Sequence, residues 1–143
     1  MATILLDSSV IFDALNGKRG RKEFLAQLLQ QGNILACCPV NLTEVYAGLR
    51  DHEKPDTEAF LSKLKFYPIT PEIAIEAGLL KRDWRQKGHT LSHMDVTLAA
   101  IAIHSKLGFL TDNVKHFPMP ELQLLPFPTH GDCWISLSTR APQ

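Results

Sequence analysis

The sequence predicts an α/β fold: a three-layer α/β/α sandwich built on a central, mainly parallel sheet. Three observations carry this. Short apolar runs bounded by turn residues recur along the chain, and segments with apolar residues at helical spacing lie between them. Strands alternating with helices are joined by crossovers, which make the sheet parallel and cover both its faces. The length, 143 residues, suits a single domain, 1–143, that buries a sizeable core without staples. Its core would run from about 3 to 126, with a C-terminal tail at 127–143.

The first apolar run, Ile4 to Leu6, reads as a buried strand that ends abruptly at Asp7. Val10, Ile11, Ala14 and Leu15 then recur at helical spacing, and Gly17 ends that segment. Lys18, Arg19, Arg21 and Lys22 form a short basic run, read as a solvated turn; a phosphate contact is the other reading. Phe24, Leu25, Leu28 and Leu29 mark a second amphipathic helix. The run 34–38, bounded by Gly32-Asn33 and Pro39, is a second strand. Asn41 then reads as the N-cap of a helix whose face carries Leu42, Val45 and Leu49, with Glu44 in its first turn. Asp56 reads as the cap of a helix bearing Phe60, Leu61 and Leu64. Residues 66–69 form a weaker strand whose Pro68 favours a short or edge position. Thr70-Pro71 is a strong helix start, and Gly88 closes that helix after Trp84. The helix opened by Ser92 is apolar nearly all round after its first turn and should be buried on most sides. Residues 107–110 form a strand with Thr111-Asp112-Asn113 as its exit, 114–117 form one helical turn, and 122–125 are the last strand candidate. The tail has no clear periodicity, though Trp134, Ile135 and Leu137 offer packing residues.

Composition narrows the class. Fifteen basic residues balance fifteen acidic ones, which argues against indiscriminate binding to polyanions. No run approaches the length of a membrane span, and the N-terminus lacks the basic region and long apolar segment of a signal peptide. Three cysteines, two of them adjacent, make neither a disulfide framework nor a zinc site. Cys37 and Cys38 read as small hydrophobes, and a reducing, cytoplasmic compartment is expected. No Walker-type loop, dinucleotide fingerprint or nucleophile-elbow glycines occur.

The chemistry-bearing pattern is acidic. Asp7 follows the first strand, Glu44 follows the second, Asp95 opens the buried helix, and Asp112 follows the fourth strand. Each has a plain structural reading. Asp7 caps a helix; Asn41-x-x-Glu44 and Ser92-x-x-Asp95 resemble capping boxes; Asp112 turns the chain. Together they suggest more, because separate strand–helix units would bring all four to one sheet edge. Crowded carboxylates repel unless a cation neutralises them. Hard oxygen donors with few histidines suit Mg²⁺ or Mn²⁺ better than zinc.

Four motifs carry a family resemblance: Leu6-Asp7-Ser8-Ser9-Val10, Leu42-Thr43-Glu44-Val45, the segment 94–102 from Met94-Asp95 onward, and the segment 110–117 from Leu110-Thr111-Asp112-Asn113 onward. In this order and spacing the chain resembles the PIN domain, and within it the VapC-type ribonuclease toxins of prokaryotic toxin–antitoxin pairs. The resemblance spans Leu5 to about Leu125. It implies that Asp7, Glu44 and Asp95 bind Mg²⁺ or Mn²⁺, with Asp112 as a fourth catalytic and metal-binding acid. Ser9 matches a hydroxyl near the metal, and Thr111 the hydroxyl that opens the last motif. Many relatives carry their acid or amide at the position of Asn113, whereas here Asp112 precedes it, so the two compete. The resemblance further implies an endoribonuclease that hydrolyses RNA with water as nucleophile, leaving 5′-phosphate and 3′-hydroxyl ends. It also implies a homodimer and a cognate antitoxin that blocks the site. The helices after Glu44 and Asp56 carry apolar residues that suit a second subunit.

Two other readings share this fold: a catalytically inactive RNA- or protein-binding module whose acids serve only as caps, and a structure-specific DNA nuclease using the same site. Lys115 is the candidate phosphate contact, while Arg50, Lys54, Arg82, Arg85 and Lys87 read mainly as solvated helix faces. His93 reads as a solvated helix-start residue, His104 as a cation late in a helix, and Trp84 as core.

Overall fold

A computed structural model describes residues 2–128. Five strands form one sheet in the order β3-β2-β1-β4-β5, every neighbouring pair parallel, and six α-helices flank it. The central strands are β1 (Thr3–Leu6), β2 (Ile34–Cys37) and β4 (Gly108–Leu110). Their side chains alternate between faces, as a two-residue period requires. Leu5, Ala36 and Phe109 join one core with Ile73 and Ala77 of α5 (Pro71–Gln86) and Val96, Leu98 and Ile101 of α6 (His93–His104). Ile4, Leu6, Leu35 and Leu110 join the other, with Val10 and Ile11 of α1 (Ser8–Leu15) and Phe24 and Leu25 of α2 (Arg21–Gln30). These two cores on opposite faces of the sheet are the three layers.

The strand order fixes where the chemistry sits. The chain steps from β1 to β2 to β3 in one direction, then returns to the other side of β1 for β4. The order thus reverses between β1 and β4, and open α/β sheets hold ligands beyond the carboxyl ends of strands at such a switch point. Leu6 pairs with Leu110, and the Asp7 N–H donates to the Leu110 carbonyl at 2.8 Å. The next residues, Asp7 and Thr111, are therefore side by side just past the strands.

Two helix starts differ from the expectation. Asn41 does not cap α3 (Pro39–Ala47); Cys38 is the N-cap and Pro39 occupies the first turn. Proline is pre-organised for that position, so the helix begins sooner. Asn41 is fully buried. Its Oδ1 accepts from the Cys38 N–H at 2.9 Å, and its Nδ2 donates to the Leu6 carbonyl and Ser8 Oγ, each at 3.0 Å. Glu44 consequently lies beyond the first turn, which contains no acid, and the Asn41–Glu44 capping box does not form. Asp56 likewise does not cap α4 (Lys54–Leu61), whose N-cap is Glu53 after a 3₁₀ turn at Asp51–Glu53. Pro55 is tolerated in a first turn, where no intrahelical donor is needed.

Asp7 stands at the N-cap of α1 without a side-chain cap bond, while Thr70 and Ser92 cap their helices as expected. Thr70 Oγ1 accepts from the Ile73 N–H at 3.2 Å, and Ser92 Oγ from the Asp95 N–H at 3.1 Å. The edge strands β3 (Lys65–Phe66) and β5 (Gln123–Leu124) have two residues each; Pro68 and Pro126 soon follow and curtail them. Cys37 and Cys38 are buried free thiols, and burial pushes Cys37 up to about 11. Among the described residues no helix is long and apolar enough to cross a membrane. Trp134, Ile135 and Leu137 lie outside the described residues.

Asn41 ties β1, β2 and α3 together through a single side chain. Asn41→Ala leaves the Cys38 N–H and Leu6 carbonyl without that partner, and is expected to lower unfolding free energy by about 3 kcal/mol. Urea denaturation measures this; a loss below about 1 kcal/mol would contradict the assignment.

Candidate functional site

The site grows from the exit of β1. Asp7 is 6% exposed. Its Oδ2 accepts from Thr111 Oγ1 at 2.6 Å and from Ser9 Oγ at 3.1 Å. Ser9 comes from the first turn of α1 and Thr111 from the exit of β4, so two elements aim the carboxylate. Ser9 Oγ also accepts from the Asp112 N–H at 3.4 Å, and Thr111 Oγ1 from the Asn113 N–H at 2.9 Å. The exit turn of β4 is thereby strapped to Asp7 through both hydroxyls.

Glu44 arrives from α3. Ser8 Oγ donates to its Oε1 at 2.6 Å while accepting from Asn41 at 3.0 Å. The relay from Asn41 through Ser8 to Glu44 links the core to the edge. Asp95 comes from the first turn of α6, and His116 Nδ1 lies 3.4 Å from its Oδ2. Burial raises the Asp95 carboxyl above the usual range, and the charge of Asp7 raises it further; Ser92 and His116 oppose this. Asp7 is thus within electrostatic reach of Asp95. A cavity of about 380 Å³ beside Asp95 is lined by His89, Ser92, Lys115 and His116, among others. Lys115 is exposed there.

Asp112 behaves differently. Its Oδ1 accepts from Arg21 Nη2 at 2.6 Å, with side chains 8% and 10% exposed. Arg19 Nη1 lies 3.7 Å from the same oxygen. Asp13, partly buried beside Asp112, has its carboxyl raised mainly by desolvation and then by Asp112. One oxygen of the Asp112 carboxylate is therefore held on the α1/α2 side, while its Oδ2 is buried without a hydrogen-bond partner among the described residues; Asn113 is exposed. Of the expected acids, Asp7 and Glu44 are linked through the start of α1, Asp95 lies within electrostatic reach of Asp7, and Asp112 is tied to Ser9 through its backbone N–H.

Ser8 and Asp13 drew no role from sequence, and Asn41 and Arg21 have other partners than their sequence context suggested. For Arg21 a signal existed. It stands three, four and seven residues before Phe24, Leu25 and Leu28, and so on the apolar face of α2. Lys18, Arg19 and Lys22 are exposed as expected, but Arg21 is buried. Asp13, Ser8 and Asn41 carry no comparable pattern, because their partners are distant in sequence.

Among the described residues, no three of Asp, Glu, His and Cys stand close enough to enclose an ion as they are. The donors are nevertheless of the right kind. Neither Asp7 nor Glu44 is paired with a protein cation among the described residues. Asp112, one turn away, has its own arginine. A loose set of carboxylate and hydroxyl oxygens fits Mg²⁺ or Mn²⁺, which take one or two carboxylates and keep several waters, better than a closed zinc site.

A family model described as the PIN domain matches residues 4–118. Ribonuclease VapC19 of Mycobacterium tuberculosis is 35% identical over 120 residues, covering 83% of this chain and 96% of that protein. Among solved structures, the VapBC2 complex of Rickettsia felis on a promoter DNA fragment is similar with a TM-score of 0.75 at 23% identity. That match covers 85% of this chain and 96% of that one. A toxin–antitoxin complex from Klebsiella pneumoniae is similar with a TM-score of 0.69 at 24% identity, covering 83% and 94%. The two structural matches speak to fold.

The buried pair Arg21–Asp112 is the shortest ion pair among the described residues. Asp112→Ala strands the guanidinium and is expected to destabilise the protein by about 3 kcal/mol. Breaking the exposed Arg82–Asp83 pair by Asp83→Ala should change stability by less than about 1 kcal/mol. Parallel urea curves check the contrast, and equal effects would refute it.

Proposed function

The chain belongs to the PIN domain family, and from that premise we propose that it is a metal-dependent endoribonuclease, the toxin of a toxin–antitoxin pair. One observation carries the chemistry. Asp7 is buried, receives hydrogen bonds from two hydroxyls, and is paired with no protein cation among the described residues. Buried charges are paired or coordinate metals, so this carboxylate calls for a cation from outside the chain. The substrate class is supported by the VapC19 likeness, which extends over most of both chains.

In this reading Asp7, Glu44 and Asp95 would hold Mg²⁺ or Mn²⁺ at the β1/β4 switch point. When bound, the ion supplies Lewis-acid polarisation of the scissile phosphodiester and lowers the pKa of the attacking water. The chain's own part is pre-orientation. Thr111 and Ser9 hold Asp7, the Asn41–Ser8 relay holds Glu44, and Ser92 fixes the start of α6 beneath Asp95. Groups held this way need not reorganise as charge develops on the phosphate. Asn113, exposed at the exit of β4, would supply an amide at the fourth position, with Asp112 supporting the turn from behind. Lys115, at the mouth of the cavity beside Asp95, meets a substrate phosphate. Selectivity among RNAs would come from groove shape and unpaired bases.

The partners are a cognate antitoxin and a second copy of the chain. Tyr46 on α3, and Ile75 and Leu79 one turn apart on α5, are large apolar side chains left exposed, and such patches suit protein contacts. The buried free thiols of Cys37 and Cys38 suit a reducing cytoplasm.

Purified protein should cleave single-stranded or structured RNA in Mg²⁺ or Mn²⁺ and be inactive in EDTA. Asp7→Asn and Asp95→Asn should lower the rate by on the order of 100-fold or more while circular dichroism remains native. Metal-independent cleavage, or full activity in Asp7→Asn, would sink the nuclease. Cleavage of structured DNA alone would favour the DNA-directed reading, and RNA binding without cleavage the inactive module. Sedimentation should give a dimer; a monomer at micromolar concentration would remove the second copy from the account.

A further inference from the structure

The Asp112 side chain and backbone face different tasks, and Arg21 is what separates them. We propose that Arg21 is a positioning residue for the acid edge: it holds the Asp112 carboxylate against α2, and so keeps the turn Thr111–Asn113 pressed on Asp7. The catalytic half of this inference rests on the nuclease reading above.

The guanidinium of Arg21 is engaged in three directions. Nη2 donates to Asp112 Oδ1 at 2.6 Å, and Nη1 donates to the Arg19 carbonyl at 3.1 Å. The Phe127 ring covers its carbon, with the centroid 3.6 Å away. Phe127 in turn packs on Phe24, ring centroids 5.5 Å apart. A planar cation stacked under an aromatic ring and forked between two acceptors has little room to move. A lysine, a point charge on a flexible stem, would not reproduce the fork.

From Asp112 the constraint passes to the site by short steps. Its N–H reaches Ser9 Oγ, which donates to Asp7. Its neighbour Thr111 donates to the same Asp7 oxygen, and Asn113 closes the turn onto Thr111. Without Arg21, the Asp112 carboxylate would be left beside Asp13, with only Arg19 nearby. Arg19 is 62% exposed and 3.7 Å away, too loosely held to replace a buried fork. Repulsion from Asp13 would push the carboxylate, and the turn with it, toward the acids of the site.

The test compares Arg21→Gln with Leu28→Ala, a buried substitution on the same face of α2 that leaves the fork intact. RNA cleavage is read in Mn²⁺, well below both melting temperatures. Arg21→Gln should lower kcat by about ten- to a hundred-fold with KM for RNA unchanged within about two-fold, whereas Leu28→Ala retains near-native kcat. Adding Asp112→Asn to Arg21→Gln removes the stranded charge and should recover part of the loss. Amide hydrogen exchange without metal or RNA supplies a readout independent of cleavage. Arg21→Gln should speed exchange at Asp112 and Asn113, and Leu28→Ala should not. If the wild type cleaves no RNA, the nuclease reading fails, while the exchange arm still decides whether Arg21 holds the turn. Unchanged kcat and exchange in Arg21→Gln, equal losses in both single variants, or a double variant worse than the single would each overturn the proposal.

Discussion

The structure depends on one register. Pairing Leu6 with Leu110 puts Asp7 and Thr111 next to each other where β1 and β4 run out, at the point where the strand order reverses. A carboxylate there is enclosed by two helix layers and by the turn after β4. It is buried, yet the groups that contact it are hydroxyls and not cations. Hydroxyl bonds satisfy lone pairs without supplying opposite charge. Glu44, linked to the same edge through Ser8, likewise has no protein cation among the described residues.

Two buried side chains brace this edge from opposite flanks. On the α3 side, Asn41 holds the end of β1 and the start of α3, and delivers Ser8 to Glu44. On the α2 side, Arg21 holds one oxygen of the Asp112 carboxylate. The first is a neutral relay built from satisfied polar groups. The second is an ion pair whose value lies in geometry as much as in stability, since buried pairs gain little net free energy. Both let the edge carry uncompensated acids without the surrounding turns giving way.

The sheet, the layers and all six helices were legible from apolar spacing, because burial on one or both faces leaves a period in the sequence. The acids at the strand exits were legible for the same reason: strand ends can be counted. What was not legible depended on contacts between residues far apart. Asn41 looked like a cap because it precedes an apolar stretch, but Pro39 had already started the helix. Its real partners, Leu6 and Ser8, lie more than thirty residues away. Asp112 looked like one more edge acid, since no local pattern announces that Arg21 faces it across 91 positions. Arg21 itself was readable as a member of the apolar face of α2, had its position been weighed above its charge.

A cation at the β1/β4 switch point would supply the charge that Asp7 lacks among its protein contacts. Crystals soaked in Mn²⁺ and measured at the manganese absorption edge test it most directly. The account predicts an anomalous peak bounded by the Asp7, Glu44 and Asp95 carboxylates, absent in Asp7→Asn crystals treated alike. No peak at that edge, or a peak held by Asp112 with Asp7 uninvolved, would contradict it.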